Sequence, residues 1–322
     1  MKEGIKMFSN KILKRFVKDY SLPIQVVQQP YFDYYLNLYN NDYNTKEKFN
    51  LLKDAISKYN SEEEFLNQYY IIRDNIINST KTTKSFQEFN TMNLDKFNVP
   101  NKNYPKHDIF NLGNVDKYFM SIDLTKANFQ ALKYFNKEIV LNCDTYNDLI
   151  SMYTDLNYMK ESKYLRQVIF GNMNPKRQVK IERYIIEKVL NYILEKNFFK
   201  EDSIRMVSND EIIFELEFSE AYDVWKDDFI KLKELIAKNI NADVDIEVFK
   251  LTNIGDTKYF VKHFINKDGF ELMCIPIVYH AQVYKKFKNL QIEDYDLLFF
   301  YENQVCNFLN PINFEKESDL SE

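Results

Sequence analysis

Glycine is scarce in this chain: five residues in 322, at Gly4, Gly113, Gly171, Gly255 and Gly269. They form neither a GxxxxGK[ST] loop nor a GxGxxG fingerprint, so the sequence carries no glycine cradle for phosphates. Nucleotide phosphates would have to be held by metal ions, basic side chains or a helix start. Cysteine and histidine are equally sparse. Cys143, Cys274 and Cys306 are odd in number and far apart, and His107, His263 and His280 are scattered. No Cys/His group has zinc spacing, which argues against a structural zinc and against a catalytic triad. The thiols are read as reduced. Long apolar runs are missing too: none approaches the roughly 20 residues of a membrane span, and the first residues lack the order of a signal peptide. The expectation is a soluble, cytoplasmic protein with no membrane partner.

What is present is a globular composition, 45% apolar and 28% charged, enough for one large domain or two ordinary ones. A net charge of −5 excludes a chain that coats nucleic acid throughout, but leaves room for a local basic groove. From Gly4 to Lys18 the apolar residues Ile5, Phe8, Ile12, Leu13, Phe16 and Val17 follow helical spacing, with Lys6, Lys11, Lys14, Arg15 and Lys18 largely on the other side. This is a basic amphipathic helix, read first as docked on the core with a solvated lysine face, and second as a nucleic-acid contact. Further helices are expected at Lys46–Tyr59 and Glu62–Ile77, the latter with Ser61 as N-cap. Residues 79–108 lose periodicity and collect Asn, Thr, Lys and Pro, as connecting segments do.

Beyond that segment the pattern changes. A short strand is expected at Tyr118–Ile122, then helices at Thr125–Phe135 and Pro175–Glu195, and a hairpin of Ile204–Val207 and Glu211–Phe218 around a Ser-Asn-Asp corner. Another helix follows at Asp227–Ile240. Strands are expected at Val244–Thr252, Lys258–Asn266 and Phe270–Val278, the last two joined by the turn Lys267-Asp268-Gly269. The fold class this predicts is α+β: a helical N-terminal region (1–105), an antiparallel sheet backed by helices (106–242), and a strand-rich C-terminal part with an acidic tail (243–322).

The chemistry-bearing residues are carboxylates. Asp123 is placed as the first residue past its strand, and Asp210 and Glu211 sit at the hairpin corner. If the two strands are neighbours, all three meet at one sheet end, as needed to clamp two divalent ions about 3.5–4 Å apart for phosphoryl transfer. Each has an ordinary alternative: Asp123 as a helix cap, and Asn209-Asp210 as a backbone-driven turn. Between the motifs, Asn174-Pro175 marks a helix start, and Lys176, Lys180 and Arg183 recur at i, i+4 and i+7 with Arg177 beside them. Such a face suits a triphosphate or a nucleic-acid backbone, and Arg166 and Lys163 are candidates to extend it. The plainer alternative pairs it with Glu182 and Glu187. Trp225 and most Tyr and Phe residues are read as core, and His280 and Lys285 are given no role.

SIDLTKANFQAL followed by SNDEIIFEL resembles the first and third motifs of palm-domain nucleotide polymerases, and SNDEIIFEL is similar to the Ser-Asp-Glu hairpin of the tRNA-histidine guanylyltransferase family. The match spans about a third of the chain. Leu124 stands where the guanylyltransferases carry glycine, and the motifs lie further apart, so what the resemblance implies is generic palm chemistry. It implies two Mg²⁺ or Mn²⁺ ions held by Asp123, Asp210 and Glu211, with the Leu124 carbonyl as a further ligand. The substrates implied are an NTP or dNTP and a nucleic-acid end. The alternatives are a non-catalytic nucleic-acid or protein binding module on the same scaffold, and a template-free nucleotide cyclase or oligonucleotide synthetase. The oligomeric state is left open.

Overall fold

A computed structural model describes residues 8–100, 104–105, 109–217 and 222–315, with residues 222–227 described as backbone only. In chain order the helices and strands are α1 (Asn10–Asp19), α2 (Tyr31–Leu38), α3 (Asn40–Tyr43), α4 (Thr45–Ser57), α5 (Glu62–Lys81), α6 (Lys84–Thr91), β1 (Tyr118–Leu124), α7 (Ala127–Phe135), α8 (Tyr146–Ser151), α9 (Asn157–Glu161), α10 (Lys163–Gly171) and α11 (Pro175–Glu195). They are followed by β2 (Ile204–Val207), β3 (Glu211–Leu216), α12 (Tyr222–Ile240), β4 (Val244–Asn253), β5 (Phe260–Phe264), β6 (Phe270–Met273), α13 (His280–Phe287), β7 (Leu298–Tyr301) and β8 (Gln304–Asn307). The protein is α+β, helical in its N-terminal region and richer in strands towards its C-terminus.

The chain divides into two compact units: residues 1–76, 150–169 and 275–322 in one, and residues 77–149 and 170–274 in the other. The first unit is largely helical. Its α1 buries Ile12, Leu13 and Phe16, and its start is capped by Ser9, whose hydroxyl accepts from the Ile12 amide. The far end of α1 is tied by Asp19, which is fully buried. Asp19 accepts hydrogen bonds from Tyr158 at 2.6 Å, Ser162 at 2.7 Å and Tyr69 at 2.8 Å. Burial pushes its carboxyl pKa up, and the three hydroxyls pull it back. His280 and Lys285 also prove structural. His280 meets the Tyr39 hydroxyl at 3.1 Å, with its pKa lowered by burial to about 4, and Lys285 pairs at 2.8 Å with the buried Asp296.

The second unit is built on a six-stranded antiparallel sheet in the order β2-β3-β1-β4-β5-β6. Its first four strands, with α11 and α12 as crossovers, follow the split β-α-β-β-α-β topology. Alternation decides which way each residue faces. Met120, Ile122 and Leu124 of β1 share one face with Ile212 and Phe214 of β3 and with Val244, Ile246 and Val248 of β4. Helices α11 and α12 pack on β3 and β4, and α7 on α11; Ile181, Ile185, Ile186, Val189, Leu190 and Ile193 of α11 are all buried. Each such side chain contributes about 1.5–3 kcal/mol when withdrawn from water.

Several elements differ from the sequence expectation. Residues 79–108 are not all connection, because α5 runs to Lys81 and α6 follows with Thr83 as N-cap. The short apolar period Phe86, Phe89 is too brief to stand out in a polar segment. Asp123 lies within β1 rather than after it, since β4 pairs with β1 as far as Leu124. Asn174 is in the left-handed conformation at the head of α11, and its side chain donates to Asn90 instead of capping the helix. The strand expected to reach Val278 stops at Met273. Residues 1–7, His107 and the Trp225 side chain lie outside the described residues. No disulfide joins Cys143, Cys274 and Cys306. Among the described residues no helix is long and apolar enough to cross a membrane.

Asp19→Ala leaves three buried hydroxyls without their acceptor. It is expected to lower the unfolding free energy by about 2–4 kcal/mol, with Asp19→Asn costing less, measured by urea denaturation.

Candidate metal centre

The sheet face away from α11 and α12 is divided along its length. One half is apolar: Phe119, Ile213, Phe249, Leu251 and Phe260 pack with Ile109, so the segment leading into β1 covers them. Along the same face the strands then turn acidic. Asp123 lies opposite Glu211 on β3 and opposite Asp245 on β4, and Ser121 lies opposite Glu247. Directly opposed residues on one face bring their Cβ atoms within about 4.5–5.5 Å. Four carboxylates therefore project from three adjacent strands at one end of the sheet.

The hairpin corner adds a fifth. The Leu124 amide donates to the Asp210 carbonyl at 2.8 Å, which fixes the corner beside the end of β1. Ser208 shapes the turn: its hydroxyl accepts from the Glu211 amide at 3.0 Å and donates to Asp210 Oδ1 at 3.1 Å, and its own amide donates to the Glu211 carbonyl at 2.8 Å. Asp210, Glu211 and Asp123 thus lie at the same end of two neighbouring strands. Leu124 is held by its amide in the same pairing.

Electrostatics show what this proximity costs. Asp123 is pushed up to about 7, first by burial and then by the charges of Asp210, Glu211, Glu247 and Asp245. Glu211 is also raised by burial and by Asp210 and Glu247. The Ser121 hydroxyl, 2.5 Å from its Oε1, and the Lys262 ammonium oppose that rise. Glu182 of α11 is pushed up to about 7, by burial first and then by Asp210, while Asn128 of α7 donates to it at 3.1 Å. The acids furthest from Asp210 are partly neutralised: Glu247 by Lys267 at 2.6 Å and Lys262 at 3.7 Å, and Asp245 by Lys233 at 3.5 Å.

All the available donors are oxygens, the set that hard divalent cations such as Mg²⁺ and Mn²⁺ take. Among the described residues no three His, Cys, Asp or Glu side chains are arranged as they stand to hold a metal ion. The hydrogen bonds explain part of this, since Glu211 is turned to Ser121 and Asp210 to Ser208.

The basic residues fall into four groups. Arg183 lines a cleft of about 220 Å³ together with Pro100, Tyr104, Glu187, Val207, Ser208 and Asn209, next to the acidic corner. Arg177 is committed to packing: its guanidinium donates to the Met92 carbonyl and lies 5.6 Å from the Phe89 ring centre. Lys176 is exposed and Lys180 half-buried on α11. Arg166 belongs to the other unit, as does Lys163. Sequence reasoning missed Asp245, Glu247, Glu182, Ser121 and Lys262. The alternation Val-Asp-Ile-Glu-Val in β4 was the available signal for the first two, because it puts both acids on one strand face.

No protein-family model matches the chain, and no curated protein matches it either.

The raised Asp123 gives a signed stability prediction. Its charged form is disfavoured in the folded state relative to an ordinary carboxylate near 4, so folding stability falls as pH rises from about 4 to about 7 and then levels off. In chelator-containing buffer, Asp123→Asn is expected to be more stable than the parent by about 1–2 kcal/mol above pH 7, after allowance for solvent screening. That advantage should vanish near pH 4, as measured by denaturant unfolding across the range.

Proposed function

We propose that this chain is a metal-dependent nucleotidyltransferase of palm type, adding nucleotides to a nucleic-acid end. The observation that carries this reading is the cross-strand pair Asp123 and Glu211 on the sheet face opposite α11 and α12, with Asp210 joined to Leu124 by a backbone hydrogen bond. Asp123, Asp210 and Glu211 would hold two Mg²⁺ or Mn²⁺ ions, with the Leu124 carbonyl as a further oxygen ligand. Such ions, when bound, lower the pKa of an attacking hydroxyl and neutralise a triphosphate and its leaving pyrophosphate.

The remaining residues of the centre have supporting parts. Ser121 and Ser208 engage Glu211 and Asp210 by hydrogen bonds that a bound cation would have to replace. Lys262 and Lys267 engage Glu247, so the least balanced negative charge lies around Asp123 and Asp210. Arg183, which lines the cleft beside Ser208 and Asn209, would contact the phosphates or sugar of an NTP or dNTP. Lys176 and Lys180 on the same helix are further candidates for the nucleic-acid backbone.

A second reading, a binding scaffold without turnover, is favoured by one observation: the carboxylates are already engaged by serine hydroxyls and lysines, and no three of them converge. The two readings part on metal binding and incorporation. Purified protein with Mn²⁺ or Mg²⁺, labelled NTPs or dNTPs, and primed and unprimed strands is expected to extend an end. Asp123→Ala and Asp210→Asn should each cut the rate by about two orders of magnitude or more. Titration calorimetry should show Mn²⁺ binding that Asp123→Ala removes. Binding of nucleic acid with neither Mn²⁺ uptake nor incorporation would establish the scaffold instead.

A further inference from the structure

The exposed side of α1 forms a second charged surface, in the unit that does not contain the carboxylates. Lys11, Lys14, Arg15 and Lys18 line a cleft of about 130 Å³ completed by Leu66 and Tyr70 of α5 and Tyr164 of α10. Four of these seven residues are cations, two are tyrosines and none is acidic. Lys14 lies 4.7 Å from the Phe300 ring centre and Lys18 5.7 Å from that of Tyr164. Among the described residues no carboxylate stands within ion-pair distance of Lys11, Lys14 or Lys18. Arg15 is held over the rings of Tyr69, Tyr164 and Tyr70 at 4.7, 5.0 and 5.6 Å and donates to the Tyr70 hydroxyl at 3.1 Å. The carboxylate acting on Arg15, Asp19, is fully buried and occupied by three hydroxyls.

We propose that this cleft binds the phosphate backbone of a single-stranded nucleic acid. In a chain of net charge −5 it is a local concentration of positive charge, the arrangement that attracts a polyanion. Lys11 to Lys18 spans about 10 Å of helix, the length of roughly three stacked nucleotides. Tyr70 and Tyr164 set aromatic rings beside the cations, Arg15 lying over both and Arg73 over Tyr70, a mixed cation and aromatic lining that suits the exposed bases of a single strand better than the paired bases of a duplex. An anionic membrane is the poorer fit. A helix that lies on a bilayer inserts its apolar side, and that side of α1, Ile12, Leu13 and Phe16, is already buried in the protein. The inference does not rest on catalysis at the acidic centre.

The test is fluorescence anisotropy of the full chain with labelled 12-nucleotide U and dT strands between 50 and 200 mM salt. Binding should weaken with salt with a log-log slope of about −2 to −3, from three to four released counterions. The triple variant Lys11→Gln, Lys14→Gln, Lys18→Gln should bind at least about tenfold more weakly at low salt and lose about two units of slope. A control of equal charge change on the other unit, Lys200→Gln, Lys231→Gln, Lys238→Gln, should retain both affinity and slope. Tyr164→Leu should weaken binding without altering the slope. Equal loss in both triple variants, an unchanged α1 variant, or retention on phosphatidylserine vesicles with no oligonucleotide binding would each overturn the proposal. If the triple variant fails a circular dichroism check of folding, the single charge reversal Lys14→Glu makes the same comparison.

Discussion

The register of β1 against β3 is the constraint on which the acidic centre depends. Pairing Asp123 with Glu211 puts Ile122 opposite Ile212 and Met120 opposite Phe214, so every helix-facing position in this stretch is apolar. A slip of one residue would drive Asp123 and Ser121 under α11 and expose Ile122 and Met120. The buried hydrophobic face therefore locks the position of the charges on the opposite face. Gathering carboxylates at one sheet end is costly, and the contacts from Ser121, Lys262, Lys267 and Lys233 offset only part of that cost.

Electrostatic balance across that face is uneven. Glu215, next along β3 from Ile213, is matched by Arg205 at 2.5 Å and Lys117 at 3.5 Å, and Glu247 by two lysines. Asp123, and Glu182 on α11, have no ion-pair partner among the described residues, and both are raised to about 7. Structural ion pairs and charge-starved acids thus occur side by side. That contrast, more than the number of acidic residues, distinguishes the end of the sheet near Asp210 from the rest of the face.

Much of this was legible in the sequence because it rests on local signals. The apolar stripe and Pro175 give α11 its observed bounds, and the Ser-Asn-Asp corner gives the β2–β3 hairpin. Asp123 and Asp210 emerged as partners because a strand, a helix and a hairpin in that order bring their ends together. What stayed hidden depends on long-range pairing. Nothing local tells β4 to lie on the other side of β1, yet that pairing makes Asp245 and Glu247 neighbours of Asp123 and extends β1 past its apolar run. Glu182 was read as a helical salt-bridge partner, since its proximity to Asp210 arises only when α11 crosses the sheet. Helix α6 was lost in a polar segment too short for its period to register.

Lys262 shows what one buried cation does to such a face. Its ammonium lies between Glu247 and Glu271, at 3.7 and 3.6 Å, and 4.9 Å from the Phe249 ring centre, where the acidic and oily halves of the sheet meet. It works as a fixed counter-ion that screens one border of the cluster and leaves the other unscreened. The positive end of the face thus lies at β5, and the acids without an ion-pair partner among the described residues lie across the sheet from it, towards the hairpin corner.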